Sequence, residues 1–291
     1  MPSDPMAERC ALVTGASSGI GRVVVERLLD AGWKVAAAAR RLDRLQEIGK
    51  TAVGAPGELL AIAMDVTQPD QVADGFAACL ERWGRSPGLV VSNAGVSSPG
   101  LLADLAPALI HGDILTNLAG PAVVAHHALK AWEERTCPTL DLVFVTSDAA
   151  PHPRPFQAAY SAAKMGTEHL ARVLAMEYDD PSVRISVVRP GATISDFAAS
   201  WVSVDFERVI ALWRKWGLQQ HLDALDPSVV ADAIVWVATQ PPGAHVPILE
   251  VQPRPPVRAG RAVGAETDGP HPDITSNQRV TRKAVDPRRA R

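Results

Sequence analysis

The sequence contains few of the residues that hold disulfide-linked or metal-centred proteins together. Its 291 residues include only three cysteines, Cys10, Cys79 and Cys137, and they lie far apart with no metal-ligand spacing. Cys10 opens an apolar run and Cys79 sits in a helical pattern, which indicates buried free thiols. We therefore expect a reduced, cytoplasmic protein without a metal site.

A strong charge imbalance and long apolar runs are also missing. The formal net charge is -3, hydrophobic residues make up 47% and charged residues 21%, which is an ordinary globular balance. No unbroken apolar run approaches membrane-spanning length, and residues 1–8 show no basic segment followed by an apolar stretch. These absences argue against a nucleic-acid partner, a membrane partner and a signal peptide.

The two ends of the chain differ in composition from the rest. Residues 253–291 carry nine Lys or Arg and four Asp or Glu, a charge of +5, so residues 1–252 carry -8. Because this tail is rich in proline and nearly free of large apolar side chains, it is predicted to be disordered. A flexible start is predicted for residues 1–8. The alternative for the tail, contact with nucleic acid or a membrane, rests on its charge alone.

Between these ends, short apolar runs alternate with longer helical patterns. Nearly all-apolar runs are typical of strands covered on both faces, and their alternation with helices predicts right-handed crossovers. The predicted fold is a single α/β domain over 9–252, with one doubly wound parallel sheet of about seven strands and helices on both faces. The predicted strands are Cys10–Gly15, Lys34–Arg40, Leu59–Val66, Leu89–Asn93, Leu140–Ser147, Arg184–Arg189 and Val246–Val251. The predicted helices are Ile20–Ala31, Pro69–Trp83, Pro107–Glu134, Gln157–Glu177 and Pro227–Thr239.

A glycine-rich turn joins the first strand to the first helix. Gly15 permits a tight turn, Gly19 lets the backbone approach a pyrophosphate, and Gly21 lets the helix pack closely on the sheet. The helix N-terminus offers N–H groups to phosphates, so the turn predicts a dinucleotide site, with a purely structural turn as the alternative. The other residues of this predicted site are Ser17, Ser18 and Ile20.

The ends of the next strands extend that predicted cofactor site. The second strand ends in Arg40 and Arg41 with no acid, and guanidinium groups suit a 2′-phosphate, so NADP(H) is favoured over NAD(H). The alternative is that both arginines are merely solvated at the start of a helix. Asp65 is a candidate acceptor from the adenine amino group. The remaining candidates are Val66, Asn93, Ala94 and Gly95.

A tyrosine and a lysine stand four residues apart in the helical stretch 157–177. This spacing places Tyr160 and Lys164 on one helix face, one turn apart. A free tyrosine has a pKa of about 10, and a shift to near 7 needs about 4 kcal/mol from neighbouring cations. Ser147, at the end of the fifth strand, is a candidate donor to a substrate oxygen. Asn117 is unfavourable inside a helix, with a harmless polar position as its alternative reading.

Together these residues resemble the short-chain dehydrogenase/reductase family, whose fold is Rossmann-like. The resemblance spans residues 9 to about 252. It implies that Tyr160 is the general acid/base, that Ser147 orients the substrate, and that Lys164 holds the nicotinamide ribose while lowering the pKa of Tyr160. It further implies that Asn117 maintains a water-linked proton path. The positions that carry the resemblance are Gly15, Gly19, Gly21, Asp65, Asn93, Ala94, Gly95, Asn117, Ser147, Tyr160, Lys164, Pro190 and Gly191.

Three positions depart from the family pattern. Ser195 replaces the usual threonine after Pro190 and Gly191, which keeps a hydroxyl for the carboxamide. The glycine turn holds no basic residue, so phosphate selectivity depends on the two arginines of the second strand. Asp148 follows Ser147, where an anion either repels carboxylate substrates or points to solvent.

The segment 192–226 matches the variable substrate lid of that family. Its aromatic residues predict either a cover over a hydrophobic or ring-bearing substrate or a helix packed on the body of the protein. Those residues are Trp201, Phe206, Trp213 and Trp216, and Phe206, Val209, Ile210, Trp213 and Trp216 fall at helical spacing.

The predicted function is hydride transfer between NADP(H) and a carbonyl or alcohol substrate. The predicted assembly is a homodimer or homotetramer. The alternative function is an NADP(H)-binding sensor, or a partner subunit, without turnover, since a fold does not by itself imply activity.

Overall fold

The computed structural model describes residues 9–194, 201, 205–218 and 223–254. The predictions for residues 1–8, for Ser195 and for 255–291 of the tail therefore lie outside the described residues. The predicted lid, 192–226, is described in part.

A seven-stranded sheet forms the centre of the domain, and all its paired strands run parallel. The strand order is β3-β2-β1-β4-β5-β6-β7. Strands are therefore added outward from β1 in one direction up to β3 and in the other direction from β4 on, with the switch point between β1 and β4. The predicted doubly wound α/β fold is confirmed. The strands are β1 Cys10–Thr14, β2 Lys34–Ala39, β3 Glu58–Ala63, β4 Leu89–Ser92, β5 Leu140–Val145, β6 Val183–Pro190 and β7 Ile248–Val251.

Helices connect the strands and cover both faces of the sheet. In the described residues they are α1 Gly19–Asp30, α2 Leu42–Thr51, α3 Pro69–Trp83, α4 Pro107–Ile114, α5 Gly120–Glu133, α6 Ala158–Glu177, α7 Phe206–Lys215 and α8 Pro227–Ala238. Helix α2 was not predicted, because it is short and polar and buries only Leu45 and Ile48.

The predicted single helix 107–134 is wrong in one respect. A π-helical turn, Leu115–Ala119, separates α4 from α5 and buries Asn117. Apolar periodicity does not reveal one inserted residue, because the helical pattern resumes after it. Predicted strand ends were also too long: β3 ends at Ala63 rather than Val66, and β7 begins at Ile248 rather than Val246.

The sheet lies between two apolar layers. Alternate residues of β1 point into opposite layers. Val13 packs into a layer that contains α1, α2 and α8, whereas Leu12 packs into a layer that contains α3, α5 and α6. This arrangement explains the unbroken apolar strands, since both of their faces are covered. The expected buried thiols are confirmed for Cys10 and Cys79, and Cys137 is buried as well.

The helical stretch Pro107–Glu133 is long and apolar enough to cross a membrane by length and composition. No unbroken apolar run is visible in the sequence because polar residues such as Asp113 and His126 interrupt it. Val124, Ala125 and Ala128 of this stretch are buried against the sheet. Core packing therefore accounts for part of its apolar composition, since a third of the apolar window is buried.

Candidate active site

The glycine turn after β1 is fixed by lack of space as well as by backbone conformation. Gly15 and Gly19 have φ of 67° and 54°, values that L side chains rarely adopt. A Cβ on Gly15 would lie 2.8 Å from the Ala94 Cα, and one on Gly21 would lie 2.5 Å from both the Asn93 Nδ2 and the Gly15 carbonyl oxygen. Only glycine fits these positions, so α1 begins directly beside the end of β4.

Asn93 and Thr14 join the carboxyl ends of β4 and β1. The Asn93 Nδ2 donates to the Thr14 carbonyl oxygen at 3.0 Å, and the Thr14 Oγ1 accepts from the N–H groups of Asn93 and Ala94 at 3.0 and 3.1 Å. These bonds hold the backbone of the following residues across the switch point between β1 and β4. Gly95 leads on toward the catalytic side, where a Cβ would lie 3.0 Å from the Asn117 Oδ1 and 3.5 Å from the Lys164 Nζ.

The end of β2 supplies one cation to the glycine turn. The Arg41 Nη2 donates to the hydroxyls of Ser17 and Ser18 at 3.0 and 3.2 Å, at the N-terminus of α1. Arg40 is exposed, and the first turn of α1 contains no acid. A guanidinium, two hydroxyls and the positive end of a helix suit a phosphate group, so these residues fit the expected NADP(H).

Asp65 and Val66 lie beyond β3 and have local partners. The Asp65 Oδ1 accepts from the N–H and the hydroxyl of Thr67 at 2.9 and 2.8 Å. Val66 is buried and lies against Gly120, where a Cβ would meet its Cγ2 at 2.8 Å. These contacts order the rim on which an adenine ring is expected.

Tyr160 and Lys164 lie together in α6, under the end of β5. Both are buried, at 7% and 4% exposure, and the Lys164 Nζ lies 5.8 Å from the centre of the Tyr160 ring. The Lys164 Nζ donates to the Val145 carbonyl oxygen at 2.9 Å. The Tyr160 hydroxyl is hydrogen-bonded to the Ser147 side chain. The structure therefore brings three predicted catalytic residues to one place.

Burial shifts the pKa values of both residues. Burial raises the pKa of Tyr160, the hydrogen bond to Ser147 opposes that rise, and the charges of Asp148 and Asp113 add to it. Burial also lowers the pKa of Lys164 to about 8, because the protein interior stabilises the ammonium less than water does. The polypeptide alone thus keeps Tyr160 as a neutral phenol rather than lowering its pKa.

Asn117 occupies the π-helical turn and is fully buried. Its Nδ2 donates to the carbonyl oxygens of Val96 and Asp113 at 2.7 and 2.8 Å, and its Oδ1 accepts from the Val96 N–H at 3.3 Å. The Thr167 hydroxyl donates to the Asn117 carbonyl oxygen at 2.6 Å, which the wider turn leaves available. Asn117 therefore connects the loop after β4 to α4, and Thr167 of α6 connects to it in turn.

The residues after β6 close the other side of the site. Pro190 accepts through its carbonyl oxygen from the Asp148 N–H at 3.0 Å, and the Gly191 N–H donates to the Val251 carbonyl oxygen at 2.8 Å. A Cβ on Gly191 would lie 2.4 Å from the Gln252 Oε1 and 2.9 Å from the Pro253 Cδ, so a side chain there would require the segment after β7 to shift.

Comparison with known families agrees with this geometry. A family model described as short chain dehydrogenase matches residues 9–204, two thirds of the chain. The chain belongs to the short-chain dehydrogenase family. It is therefore an oxidoreductase of a family that binds a nicotinamide cofactor.

Relatives of this short-chain dehydrogenase cover nearly all of its described length. It is 27% identical over 254 residues to bovine (Bos taurus) dehydrogenase/reductase SDR family member 11, covering 85% of this chain and 96% of the relative. It is 26% identical over 265 residues to a probable NADP-dependent dehydrogenase of Haemophilus influenzae, covering 90% of this chain and 100% of the relative. Among solved structures, an alcohol dehydrogenase of the archaeon Thermococcus sibiricus, complexed with 5-hydroxy-NADP, is similar with a TM-score of 0.70 and 27% identity, covering 84% of this chain and 95% of that one.

The position after Ser147 distinguishes this short-chain dehydrogenase and corrects one expectation. Asp148 does not point to solvent: it is buried, and its Oδ2 accepts from the Arg154 Nη2 at 2.5 Å. The ion pair offsets the charge that was expected to repel carboxylate substrates. Sequence reasoning did not identify Arg154, because it lies in a loop six residues later with no periodic pattern to mark it.

The described part of the lid packs in part on the body of the protein. The Leu225 N–H donates to the Ala192 carbonyl oxygen at 2.7 Å, which brings the two ends of the lid together. In α7, Val209 and Ile210 are buried, as expected for a packed helix. Trp216, however, is 65% exposed and takes no part in that packing.

A second ion pair beneath the site was also missed. Glu168, one turn after Lys164 and fully buried, accepts from the Arg189 Nε at 2.8 Å and from the Thr146 hydroxyl at 3.0 Å. It thereby connects α6 to Arg189 of β6 and to Thr146, the residue before Ser147. The i,i+4 spacing from Lys164 is a sequence signal that places Glu168 on the same helix face.

Proposed function

We propose that this protein transfers a hydride between NADP(H) and a carbonyl or alcohol substrate, with Tyr160 as the general acid/base. The observation that carries the proposal is the buried Tyr160 hydroxyl, hydrogen-bonded to Ser147 and one helix turn from the Lys164 ammonium. A single phenol with a hydroxyl partner and a nearby cation suits proton transfer to a carbonyl oxygen.

Each of the four predicted catalytic residues has one role in this proposal. Tyr160 exchanges the proton with the substrate oxygen, and Ser147 donates a hydrogen bond to that oxygen and stabilises the charge that develops on it. Lys164 holds the nicotinamide ribose and stabilises the phenolate. Asn117 keeps the loop after β4 in place and supports a water-linked proton path. The cofactor, when bound, supplies or accepts the hydride.

The raised pKa keeps Tyr160 protonated, as a donor to a carbonyl oxygen must be, but it also makes the phenol a weaker acid. Donation during reduction therefore needs a nearby cation that stabilises the phenolate. For the reverse reaction Tyr160 must lose its proton, and the Lys164 ammonium together with the positive charge of the oxidised nicotinamide stabilises the resulting phenolate.

The preference for NADP(H) is supported by the surroundings of the glycine turn. Arg41 contacts both serine hydroxyls at the N-terminus of α1, and β2 ends without the acid that holds a free ribose 2′-OH. The Haemophilus relative is named as NADP-dependent, and the archaeal alcohol dehydrogenase structure holds an NADP derivative. The other residues of the proposed cofactor site are Gly15, Ser17, Ser18, Gly19, Ile20, Gly21, Arg40, Asp65, Val66, Asn93, Ala94, Gly95, Pro190, Gly191 and Ser195, together with Tyr160 and Lys164.

The test uses purified protein, NADPH or NADH, and a carbonyl panel of benzaldehyde, cyclohexanone and acetoacetate. We expect NADPH-dependent reduction of at least one compound, and Tyr160→Phe should slow it by roughly 100- to 10,000-fold. Tyr178→Phe is the matched control, because Tyr178 is the only other tyrosine and packs against Trp132 away from the site. Unchanged reduction by Tyr160→Phe refutes the assignment. Tight NADPH binding without any turnover would favour the sensor.

We further propose a homodimer or homotetramer. Support comes from apolar side chains exposed on α4 and α6: Leu109, Met165 and Val173 are 48%, 40% and 37% exposed, and Met176 is 81% exposed. Sedimentation equilibrium tests this, and a monomer at micromolar concentration would contradict it. A cytoplasmic location remains a prediction from the reduced cysteines.

A further inference from the structure

The carboxylate of Asp148 lies between a catalytic hydroxyl and an arginine. The Ser147 hydroxyl donates to its Oδ1 at 3.3 Å, and the Arg154 Nη2 donates to its Oδ2 at 2.5 Å. The Asp148 and Arg154 side chains are only 12% and 13% exposed, so water screens the pair weakly. The charge on Asp148 is therefore balanced by Arg154 rather than by solvent.

Ser147 has a single proton to donate, and several acceptors compete for it. The Ala149 N–H already donates to its oxygen at 3.1 Å, which orients the hydroxyl. The remaining acceptors are the Asp148 carboxylate, the oxygen of Tyr160 and, under the proposed function, the substrate oxygen. An unpaired carboxylate is a strong acceptor, and its ion pair with Arg154 weakens its hold on the Ser147 proton.

Arg154 also contacts the lid. Its Nη1 donates to the Leu218 carbonyl oxygen, just after α7, and its guanidinium lies 5.3 Å from the centre of the Trp213 ring. The Trp213 Nε1 in turn donates to the Pro155 carbonyl oxygen at 2.9 Å, next to Arg154 in the chain. One side chain thus contacts α7, the segment that follows α7, and the neighbour of Ser147.

A second arginine provides a natural comparison. Arg208 of α7 lies 5.7 Å from the centre of the Phe156 ring, and so it also connects the lid to the loop that leads to α6. Among the described residues it makes no contact with Asp148 or Ser147, so its loss should loosen α7 without changing the acceptors of the Ser147 proton.

We propose that Arg154 is a positioning residue that couples the placement of the substrate lid to the hydrogen bonding of Ser147 through Asp148. This inference rests on the proposed function. With α7 in its present position, Trp213 and the Leu218 carbonyl oxygen hold the guanidinium against Asp148, and Ser147 is released to the substrate. Without these contacts Arg154 loses its supports and Asp148 retains the Ser147 proton.

The same coupling acts on Tyr160. The charged groups that face Tyr160 are Lys164 on α6, Asp113 on α4 and Asp148 on the loop after β5. The charge on Asp148 raises the pKa of Tyr160, and Arg154 limits that effect. Loss of Arg154 should therefore move the pH at which Tyr160 loses its proton to a higher value.

The test compares Arg154→Met with Arg208→Met in NADPH-driven reduction of the fastest compound of the panel. Loss of one donor to a developing oxyanion lowers kcat by about 100- to 1,000-fold, so a partial loss of Ser147 donation in Arg154→Met should lower kcat on the order of tenfold. The alkaline limb of the kcat profile should move to higher pH. Arg208→Met should raise KM and leave kcat and the profile nearly unchanged.

A double variant gives the decisive comparison. Adding Asp148→Asn to Arg154→Met removes the unpaired carboxylate, so kcat should recover most of the loss and the alkaline limb should return. A double variant that is no faster than Arg154→Met would overturn the proposal, as would equal kcat effects from Arg154→Met and Arg208→Met. If Arg154→Met fails to fold, Arg154→Lys serves instead, since it keeps a charge near Asp148 but lacks the planar group that stacks on Trp213.

Hydrogen–deuterium exchange separates this proposal from the proposed function, because it needs no turnover. Arg154→Met should accelerate exchange both in α7 and in residues 148–152, whereas Arg208→Met should accelerate it in α7 alone. Unchanged exchange at 148–152 in Arg154→Met contradicts the coupling even if the protein reduces carbonyls. If the expected exchange pattern is found in a protein that shows no turnover, the coupling holds and only the proposed reaction is rejected.

Discussion

Two parts of the carboxyl edge of the sheet are held together by different means. We call them the cofactor edge, at the ends of β1 and β4, and the substrate edge, at the ends of β5 and β6. At the cofactor edge, Gly15 and Gly21 leave no room for a side chain, so backbone geometry fixes the turn. At the substrate edge, the pairs Asp148–Arg154 and Glu168–Arg189 hold the loops through buried charges. At the cofactor edge only glycine fits. At the substrate edge, other pairs of opposite charge could hold the loops in the same way. This difference fits a family with a common cofactor and variable substrates.

The substrate edge carries an electrostatic cost that pH can reveal, and this is the largest effect we expect. The folded pKa of Lys164 is about 8, below its ordinary value of 10.5, so the unfolded chain binds more protons between these values. The contribution of Lys164 to the free energy of unfolding should therefore rise with pH across that window, by about 3 kcal/mol.

Urea unfolding of the parent and of Lys164→Met measures this contribution as a difference between two curves. The difference is needed because Cys10, Cys79 and Cys137, whose pKa values burial raises, have the opposite pH dependence in both proteins. Parallel curves from pH 8 to 10.5 would show that the ammonium carries no such cost.

The cofactor edge should respond to added volume rather than to charge. Gly21→Ala places a methyl group 2.5 Å from the Asn93 Nδ2 and the Gly15 carbonyl oxygen, and should lower the free energy of unfolding by about 2 kcal/mol. Gly112→Ala is the matched control, because nothing lies within 4 Å of its Cβ and α4 gains helix propensity there. Similar free energies of unfolding for the two variants would mean that the turn can accommodate a methyl group.

One charged residue of the cofactor edge, Arg41, is expected to affect cofactor binding. Arg41→Ala should weaken NADPH binding by about tenfold, about 1.4 kcal/mol, and leave NADH binding nearly unchanged. Arg40→Ala is measured beside it, because Arg40 is the other predicted phosphate contact but makes none of the contacts to Ser17 and Ser18, so we expect a smaller loss. Equal losses for NADPH and NADH, measured by fluorescence titration, would refute a 2′-phosphate role for Arg41.

The smallest effect concerns a single hydrogen bond of the lid. Trp213→Phe removes the donor to the Pro155 carbonyl oxygen but keeps an aromatic ring beside Arg154. The free energy of unfolding should fall by about 1 kcal/mol, and KM should change more than kcat. A larger fall in kcat than in Arg154→Met would indicate that Trp213 acts on the site without Arg154.

The sequence predicted the sheet well because its signal is local. Six of the seven strands begin within one residue of their predicted starts. Each strand is a short apolar run between turn residues, and such a run can be recognised without knowledge of the rest of the chain. Helix α2 was missed because Leu45 and Ile48 are too few to form a pattern. The π-helical turn was missed because one inserted residue changes the phase of a helix without changing its composition.

The candidate site divides in the same way. The glycine turn and the spacing of Tyr160 and Lys164 lie in short segments, and the structure brings them to the ends of β1 and β5. The partner of Asp148 could not be predicted, because which charge meets it depends on the path of the loop before α6. The raised pKa of Tyr160 also depends on burial, which the i,i+4 spacing does not reveal.

The π-helical turn at Leu115–Ala119 has a consequence for insertions and deletions in this chain. Each residue of a helix advances the side chains by about 100°, so the extra residue rotates everything after it relative to α4. Deleting one residue there would leave a continuous, regular helix, yet it would turn Val124 and Ala128 of α5 away from the sheet. Lineages of this protein are therefore expected to tolerate substitutions around Asn117 more readily than any change in chain length there.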